Sequence, residues 1–208
     1  MSATSDPRRP AGAAERGMHD QTRISDLCLA VDLAVELAAR ASHSGERTIM
    51  GIVGPPGSGK STVAQKIVQA LGDDAVLVPM DGFHLAQEEL VRLGRRDRMG
   101  APDTFDVTGF ASLLGRLRRR DEDVVYAPRF DRSIELPIAG AIAIPRDVPL
   151  IITEGNYLLH DGEGWQALAP LLDTTWYVEV PRSLREERLI ARRIAHGDTP
   201  DHSAQWVR

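Results

Sequence analysis

The sequence predicts a three-layer α/β fold, a mainly parallel sheet with helices on both faces, joined by a small side hairpin and a helical lid rich in arginine. Three observations predict it. Residues 48–53, 75–80, 149–152 and 175–180 are short runs that are largely apolar rather than alternating, as in strands buried on both faces. Stretches with apolar residues at helical spacing separate several of them, at 61–71, 110–119 and 184–195, which is the strand-helix alternation of a parallel sheet. The first apolar run passes straight into a glycine-rich segment that opens the first of these helices.

Residues 1–23 are rich in Ser, Ala, Gly, Pro and Arg and carry almost no large apolar side chains. They cannot offset the entropy of ordering and are expected to form a disordered tail. Residues 24–208 are expected to form one domain, in keeping with a chain of 208 residues. Ile24, Leu27, Val31, Ala34 and Ala38 recur at helical spacing and predict an amphipathic helix ending before Ser42. The strand at 48–53, the glycine-rich turn and the helix at 61–71 follow, the helix closing at Gly72. Beyond the strand at 75–80 and the helix at 110–119, Val124-Val125-Tyr126 and residues 138–144 predict the two arms of the side hairpin. The strands at 149–152 and 175–180 and the helix at 184–195 complete the order, without internal repeats.

Composition narrows the function classes. Hydrophobic residues make up 42% of the chain and charged residues 26%, an ordinary globular balance. A net charge of -5 leaves no global positive field for a polyanion, so nucleic acid is not an expected partner. The lone cysteine, Cys28, lies among apolar residues; it excludes a disulfide framework and is expected to be a buried small hydrophobe. No run approaches the ~18 apolar residues of a membrane span, and the polar start lacks the apolar core of a signal. A cytoplasmic protein with no membrane partner is expected; a homodimer is an open option for its assembly.

Gly54-Pro55-Pro56-Gly57-Ser58-Gly59-Lys60-Ser61 fits G-x-x-x-x-G-K-[ST] in full, between a strand and a helix. That context predicts the phosphate-binding loop of a P-loop NTPase fold. Glycines let backbone N–H groups turn in around phosphate oxygens, and the helix opening near Lys60 adds the positive end of its dipole. Lys60 is expected on the β- and γ-phosphates, Ser61 on Mg²⁺ and Thr62 beside the nucleotide, so ATP and Mg²⁺ are the expected cofactors.

Ligands of open α/β sheets sit at the carboxyl ends of strands, and Met80-Asp81-Gly82-Phe83-His84 lies just past one. Asp81 is the candidate base for an acceptor hydroxyl. The alternative is an Asp-Gly turn whose carboxylate bonds only its own backbone. His84 either bonds the acceptor or closes the loop against Phe83. Residues 150–155 form an apolar strand that ends in an acid, which makes Glu154 the candidate to hold Mg²⁺ through water, against the alternative of a strand-end carboxylate facing solvent.

On a helix over 181–195, Arg182, Arg185, Arg188, Arg192 and Arg193 share one broad sector, and Leu184, Ile190, Ala191 and Ile194 occupy the other. This predicts a lid with one packed face and one cationic face that closes over the nucleotide. Arg185 and Arg188 are the candidates to neutralise the transferring phosphoryl group, and Arg192 to contact the nucleotide. For any single arginine the alternative is a solvated charge. Arg95, Arg96 and Arg98 form a second basic cluster between Gly94 and Gly100, either on a phosphorylated acceptor or solvated.

With these residues in place the chain resembles the P-loop kinases of the phosphoribulokinase and uridine kinase type, a group that includes bacterial type I pantothenate kinase. The resemblance covers about 49–206. It rests on the phosphate loop and Met80-Asp81-Gly82-Phe83-His84, then on Ala101-Pro102-Asp103-Thr104-Phe105-Asp106, Tyr126-Ala127-Pro128-Arg129-Phe130-Asp131 and Thr153-Glu154-Gly155-Asn156-Tyr157. Within the group the chain is similar to bacterial proteins described as nucleoside/nucleotide kinases or fructose-transport-system kinases. The resemblance implies that Asp81 is the base, that His84, Asp103, Arg129 and Asp131, with Asn156 and Tyr157, surround the acceptor, and that the arginine helix is a lid.

Two departures bear on the expectation. Gly100 stands where uridine kinases carry an acidic ribose contact, so uridine is not the expected acceptor. Members also continue past the lid helix into a segment and strand that help hold the adenine, whereas this chain stops at Arg208. The sequence lacks the Asn-Lys-x-Asp motif that reads guanine in GTPases of the same loop class. The expected function is therefore ATP-dependent transfer of the γ-phosphoryl group to a hydroxyl of a small metabolite: a nucleoside, a pantothenate-like molecule or a sugar. The alternative is a nucleotide-binding protein, inactive as a kinase through C-terminal truncation.

Overall fold

A computed structural model describes residues 20–195 and 197–207. Its strands are β1 (Asp20–Ile24), β2 (Thr48–Val53), β3 (Ala75–Pro79), β4 (Val124–Asp131), β5 (Leu136–Pro145), β6 (Leu150–Gly155) and β7 (Thr174–Val178). Its helices are α1 (Leu27–Ser44), α2 (Lys60–Leu71), α3 (Gln87–Arg92), α4 (Val107–Arg119), α5 (Arg182–Ala195) and α6 (Pro200–Val207), and short 3₁₀ turns join several of these elements. Five strands form a wholly parallel sheet in the order β1-β7-β2-β6-β3, while β4 and β5 pair antiparallel as a separate hairpin.

The two faces of the sheet bury two distinct apolar clusters, which is why the central strands read as unbroken apolar runs. Met50 and Ile52 of β2, with Leu150 and Ile152 of β6, pack against Ala30, Ala34 and Ala38 of α1 and Val63, Ala64 and Ile67 of α2. Ile49, Val53 and Ile151 point the other way, toward Phe110, Leu114 and Leu117 of α4, the hairpin residues Val125 and Ile144, and the Leu158–Leu172 region. Each fully buried side chain of this kind contributes about 1.5–3 kcal/mol. All six residues of β6 are buried, so this strand is covered on both faces of the sheet.

Register aligns the strand ends that matter. Glu154 lies opposite Ile52 on one side and Pro79 on the other, so β2, β6 and β3 release their chains at one edge. Thr153 Oγ1 donates to the Val78 carbonyl at 2.8 Å and fixes β6 against β3 one residue earlier.

Three expectations need correction. The tail was expected to reach Arg23, yet Asp20–Ile24 form β1, whose backbone groups pair with β7; that ladder orders a segment with little apolar side-chain surface. Residues 1–19 lie outside the described residues. The edge position beside β7 is thus filled from the N-terminal part of the chain. Cys28 is exposed, because the buried stripe of α1 runs through Ala30, Ala34, Ala38 and Ala41, and the helix starts at Leu27 under an Asp26 cap that accepts from Leu29 N. Finally, α5 has no buried residue at all; the face expected to pack leaves Ile194 at 40% exposure. No described helix is long and apolar enough to cross a membrane.

Candidate active site

The phosphate loop leaves β2 at Gly54 and enters α2 at Lys60. Gly57 has φ +79, and a Cβ there would lie 2.8 Å from the Arg185 carbonyl oxygen and 3.1 Å from Leu189 Cγ. Glycine is therefore required both by the turn and by the close approach of α5. Ser58 is buried, and its Oγ has no hydrogen-bond partner among the described residues. Lys60, in the first turn of α2, is 8% exposed and donates to the Pro55 carbonyl at 3.2 Å and to Asn156 Oδ1 at 2.7 Å. Burial lowers its pKa; Glu154 and Asp81 oppose that shift and Arg192 adds to it.

Two carboxylates face this lysine from neighbouring strand ends. Glu154 accepts from Ser61 Oγ at 3.2 Å, and burial pushes its carboxyl above the ordinary range, helped by Asp81 and opposed by Lys60, Ser61 and Arg132. Asp81 lies on the 3₁₀ turn Met80–Phe83 that follows β3. A Cβ on Gly82 would collide with the Pro128 carbonyl, so only glycine lets the hairpin close onto this turn. The hairpin then delivers Arg132, whose Nη2 donates to Asp81 Oδ2 at 2.9 Å. Next to it, His84 Nδ1 is 2.8 Å from the Asp81 carbonyl, and the ring lies between Phe105 and Phe130 at centroid distances of 4.0 and 4.8 Å. Burial lowers the His84 pKa, against the opposing effect of the Asp81 backbone and charge.

These groups share one cavity of about 1130 Å³. Of the residues singled out in the sequence, Pro56, Gly57, Gly59, Lys60, Ser61 and Thr62 line it, as do Asp81, His84, Glu154, Asn156 and Tyr157, with Arg188 and Arg192 from α5. Gly54, Pro55 and Ser58 form the back of the loop instead. Arg188 Nη1 reaches the carbonyls of Gly57 and Ser58 at 3.4 Å, whereas Arg185 meets the loop through its backbone and does not line the cavity. Asp103 stands behind the wall, paired with Arg95 and Arg98, and Tyr157 Oη donates to the Gly100 carbonyl at 2.8 Å.

The hairpin separates expectation from structure. Arg129 and Asp131 do not line the cavity; Asp131 accepts from Ser133 at 2.6 Å within the turn, while Phe130 and Arg132 line it. In the first half of β4 the odd-numbered residues Val125 and Ala127 are buried. Between Ala127 and Arg129 the register shifts, residues 139–141 of β5 standing against Pro128 alone, and beyond the shift Arg129 is exposed while Phe130 is half-buried and lines the cavity. Alternation carried forward from Val125 and Ala127 points to Arg129 and Asp131 instead, so the pattern holds no signal for Phe130 and Arg132. Arg98, read in the sequence as either on a phosphorylated acceptor or solvated, and Phe105, placed only within a motif, also line the cavity.

Chemically the cavity offers a P-loop, a lysine, a hydroxyl next to a carboxylate, a second carboxylate and the α5 arginines Arg188 and Arg192. No described group of three or more His, Cys, Asp or Glu could hold a metal ion unaided. Ser61 and Glu154 are hard oxygen donors in mutual contact, which suits a cation such as Mg²⁺ that completes its shell with water and phosphate oxygens.

No family model matches the chain. It is 34% identical over 161 residues to a Schizosaccharomyces pombe protein provisionally named a uridine kinase, covering 73% of this chain and 68% of that protein. Identity is 38% over 132 residues to an ATP-dependent kinase-like protein of Aspergillus versicolor, covering 60% of this chain and 77% of the relative. Among solved structures, a Silicibacter protein provisionally named a fructose transport system kinase superposes with a TM-score of 0.74 at 36% identity, over 85% of this chain and 86% of that one.

Proposed function

The chain belongs to the P-loop kinases of the uridine kinase type, and from that premise we propose that it transfers the γ-phosphoryl group of ATP to a hydroxyl of a small metabolite. The observation that carries this reading is the position of Asp81: a carboxylate in the same cavity as the phosphate loop, coupled electrostatically to Lys60 and Glu154. A simple nucleotide-binding site has no use for a base there. In the step, the acceptor oxygen forms a bond to the γ-phosphorus as the bond from that phosphorus to the β,γ-bridging oxygen breaks. The hydroxyl proton passes to Asp81, and ADP leaves with the bridging oxygen.

Each remaining group has one task. Backbone N–H groups of Gly57 to Lys60 hold the phosphates, and Lys60 exchanges its bond with Asn156 for one to phosphate oxygen. Ser61 and Glu154 would hold Mg²⁺, which supplies charge neutralisation between the phosphates when bound. Arg188 and Arg192 bring positive charge from the lid side of the same cavity.

The test is coupled ADP release with MgATP, run with and without nucleosides, pantothenate, hexoses, hydroxy acids and sugar phosphates. ADP should form only with a productive acceptor and in step with a phosphorylated product. Asp81→Asn should lower turnover roughly 10²- to 10⁴-fold while nucleotide affinity changes little. ADP release that needs no acceptor, or near-normal transfer by the Asp81→Asn protein, would overturn the proposal.

A further inference from the structure

We propose that the phosphoryl acceptor is an anion, carrying a carboxylate or phosphate group beside the hydroxyl that is phosphorylated, and that Arg132 is the residue that reads it. The inference rests on the kinase reading above and names the substrate class for the same site.

It starts from a contact in the cavity. Arg132 Nη2 donates to Asp81 Oδ2 at 2.9 Å, on the carboxylate proposed as the base. The fold does not need it there: Arg132 is on the β4–β5 turn, and its side chain is 54% exposed. Its position is nevertheless defined. The guanidinium carbon lies 6.0 Å from the Phe130 ring centre, and Gly82 admits the hairpin to the Asp81 turn.

What Arg132 retains is donor capacity. A guanidinium has five N–H donors in a planar fork that matches a carboxylate or phosphate in a two-point contact. Among the described residues one of these donors is used, on Asp81, while the side chain lines the cavity. Arg132 leaves Asp81 Oδ1 to take the acceptor hydroxyl. A hydroxyl held there has its neighbouring carbon substituents beside the Arg132 fork. An uncharged substituent would leave those donors to water, whereas an oxyanion would satisfy two of them at once.

The surrounding wall suits a small anion. Arg98 lines the same cavity and is paired with Asp103, whose position Arg95 also fixes. Arg96 bonds Glu135 of the hairpin turn at 3.2 Å, and Gln87 donates to the Glu135 carbonyl at 3.3 Å. The basic loop and the hairpin turn are thereby tied together; Glu135, three residues on from Arg132, is paired with Arg96, and Asp131, next to Arg132 in the chain, accepts from Ser133 within the turn. Asp97 also lines the cavity and is an opposing charge that the acceptor must avoid.

The experiment compares matched acceptors that differ only in the anionic group: glycerate with glycerol, a pentose or hexose phosphate with the free sugar, and pantothenate with its alcohol. Transfer from MgATP and binding to the full chain loaded with a non-hydrolysable ATP analogue are both measured. The anionic member of at least one pair should be preferred, and Arg132→Gln should reduce that preference roughly 10- to 100-fold, mostly through KM or Kd. Arg132→Lys should restore part of it. The carboxylate and phosphate arms distinguish the two sources of the same charge. A purely structural role would move both members of a pair together, and that result, or efficient phosphorylation of neutral acceptors in preference to anions, overturns the proposal. Arg132-dependent anion binding without transfer would keep Arg132 as an anion reader but overturn the kinase reading and, with it, the anion's role as acceptor; absence of both binding and transfer would overturn both.

Discussion

Strand β6 and helix α5 bring charge to the same cavity from opposite structural conditions. β6 is buried along its whole length and presents Glu154 at its end, held in register between β2 and β3. α5 buries no residue and presents Arg188 and Arg192 from a helix that touches the phosphate loop at Gly57. A carboxylate that must meet the phosphate loop at a fixed distance is placed by the core, where packing leaves one arrangement. On the proposed reading, the arginines that admit a nucleotide and then close on it are placed on an element with no buried residue, as expected of the low-stability end of a structure. The difference separates what builds the site from what completes it.

Kinetics should show the sharpest contrast. Lys60→Ala removes a buried cation of the constructed part and should lower turnover by roughly a thousandfold or more, with weaker nucleotide binding. Arg188→Ala removes a cation of the closing part and should lower turnover roughly 10- to 1000-fold, while nucleotide affinity, measured by equilibrium titration, shifts only a few-fold. Equal losses in affinity for both variants would erase the distinction.

Stability should show the next largest effect. Ile152 is fully buried at the centre of β6, and Ile152→Ala should cost about 2–5 kcal/mol in denaturant unfolding. Ile194→Ala on α5, at a position 40% exposed, should fall within about 0.5 kcal/mol of the parent. A large loss at Ile194 would mean that the lid is packed in solution.

The smallest effect is one of pH. His84 has a folded-state pKa below its ordinary value of 6.5, so the unfolded chain binds more protons than the folded one in the window below 6.5. Stability should therefore rise with pH through that window, by at most about 1.4 kcal/mol per pH unit from this group. The increment should shrink in His84→Gln when melting temperatures are compared across pH 5 to 7.5.

Much of the constructed part is legible in the sequence, because the burial that fixes it also writes an apolar run. Strands at 48–53, 75–79 and 150–155 and the phosphate loop follow from pattern, and Asp81 and Glu154 follow from their place at strand ends. The parts that were missed depend on partners distant in sequence. Asp20–Ile24 reads as tail because only a backbone ladder to β7 orders it. Arg132 stayed hidden because the register between β4 and β5 shifts after Ala127, which alternation along β4 does not reveal. The solvent-facing character of α5 was hidden by apolar residues that suggested a packed face, and helix periodicity alone does not say whether a partner is present.

The far edge of the sheet also bears on how the protein is made. β1 leaves the ribosome first among the strands, but the strand it pairs with does not begin until Thr174. At typical elongation rates that is a wait on the order of ten seconds, during which the N-terminal strand has no native partner. Closing so long a loop is the kind of event that slows folding, so the β1–β7 pairing should be among the last steps in assembling this sheet, completed only after Thr174–Val178 has left the ribosome.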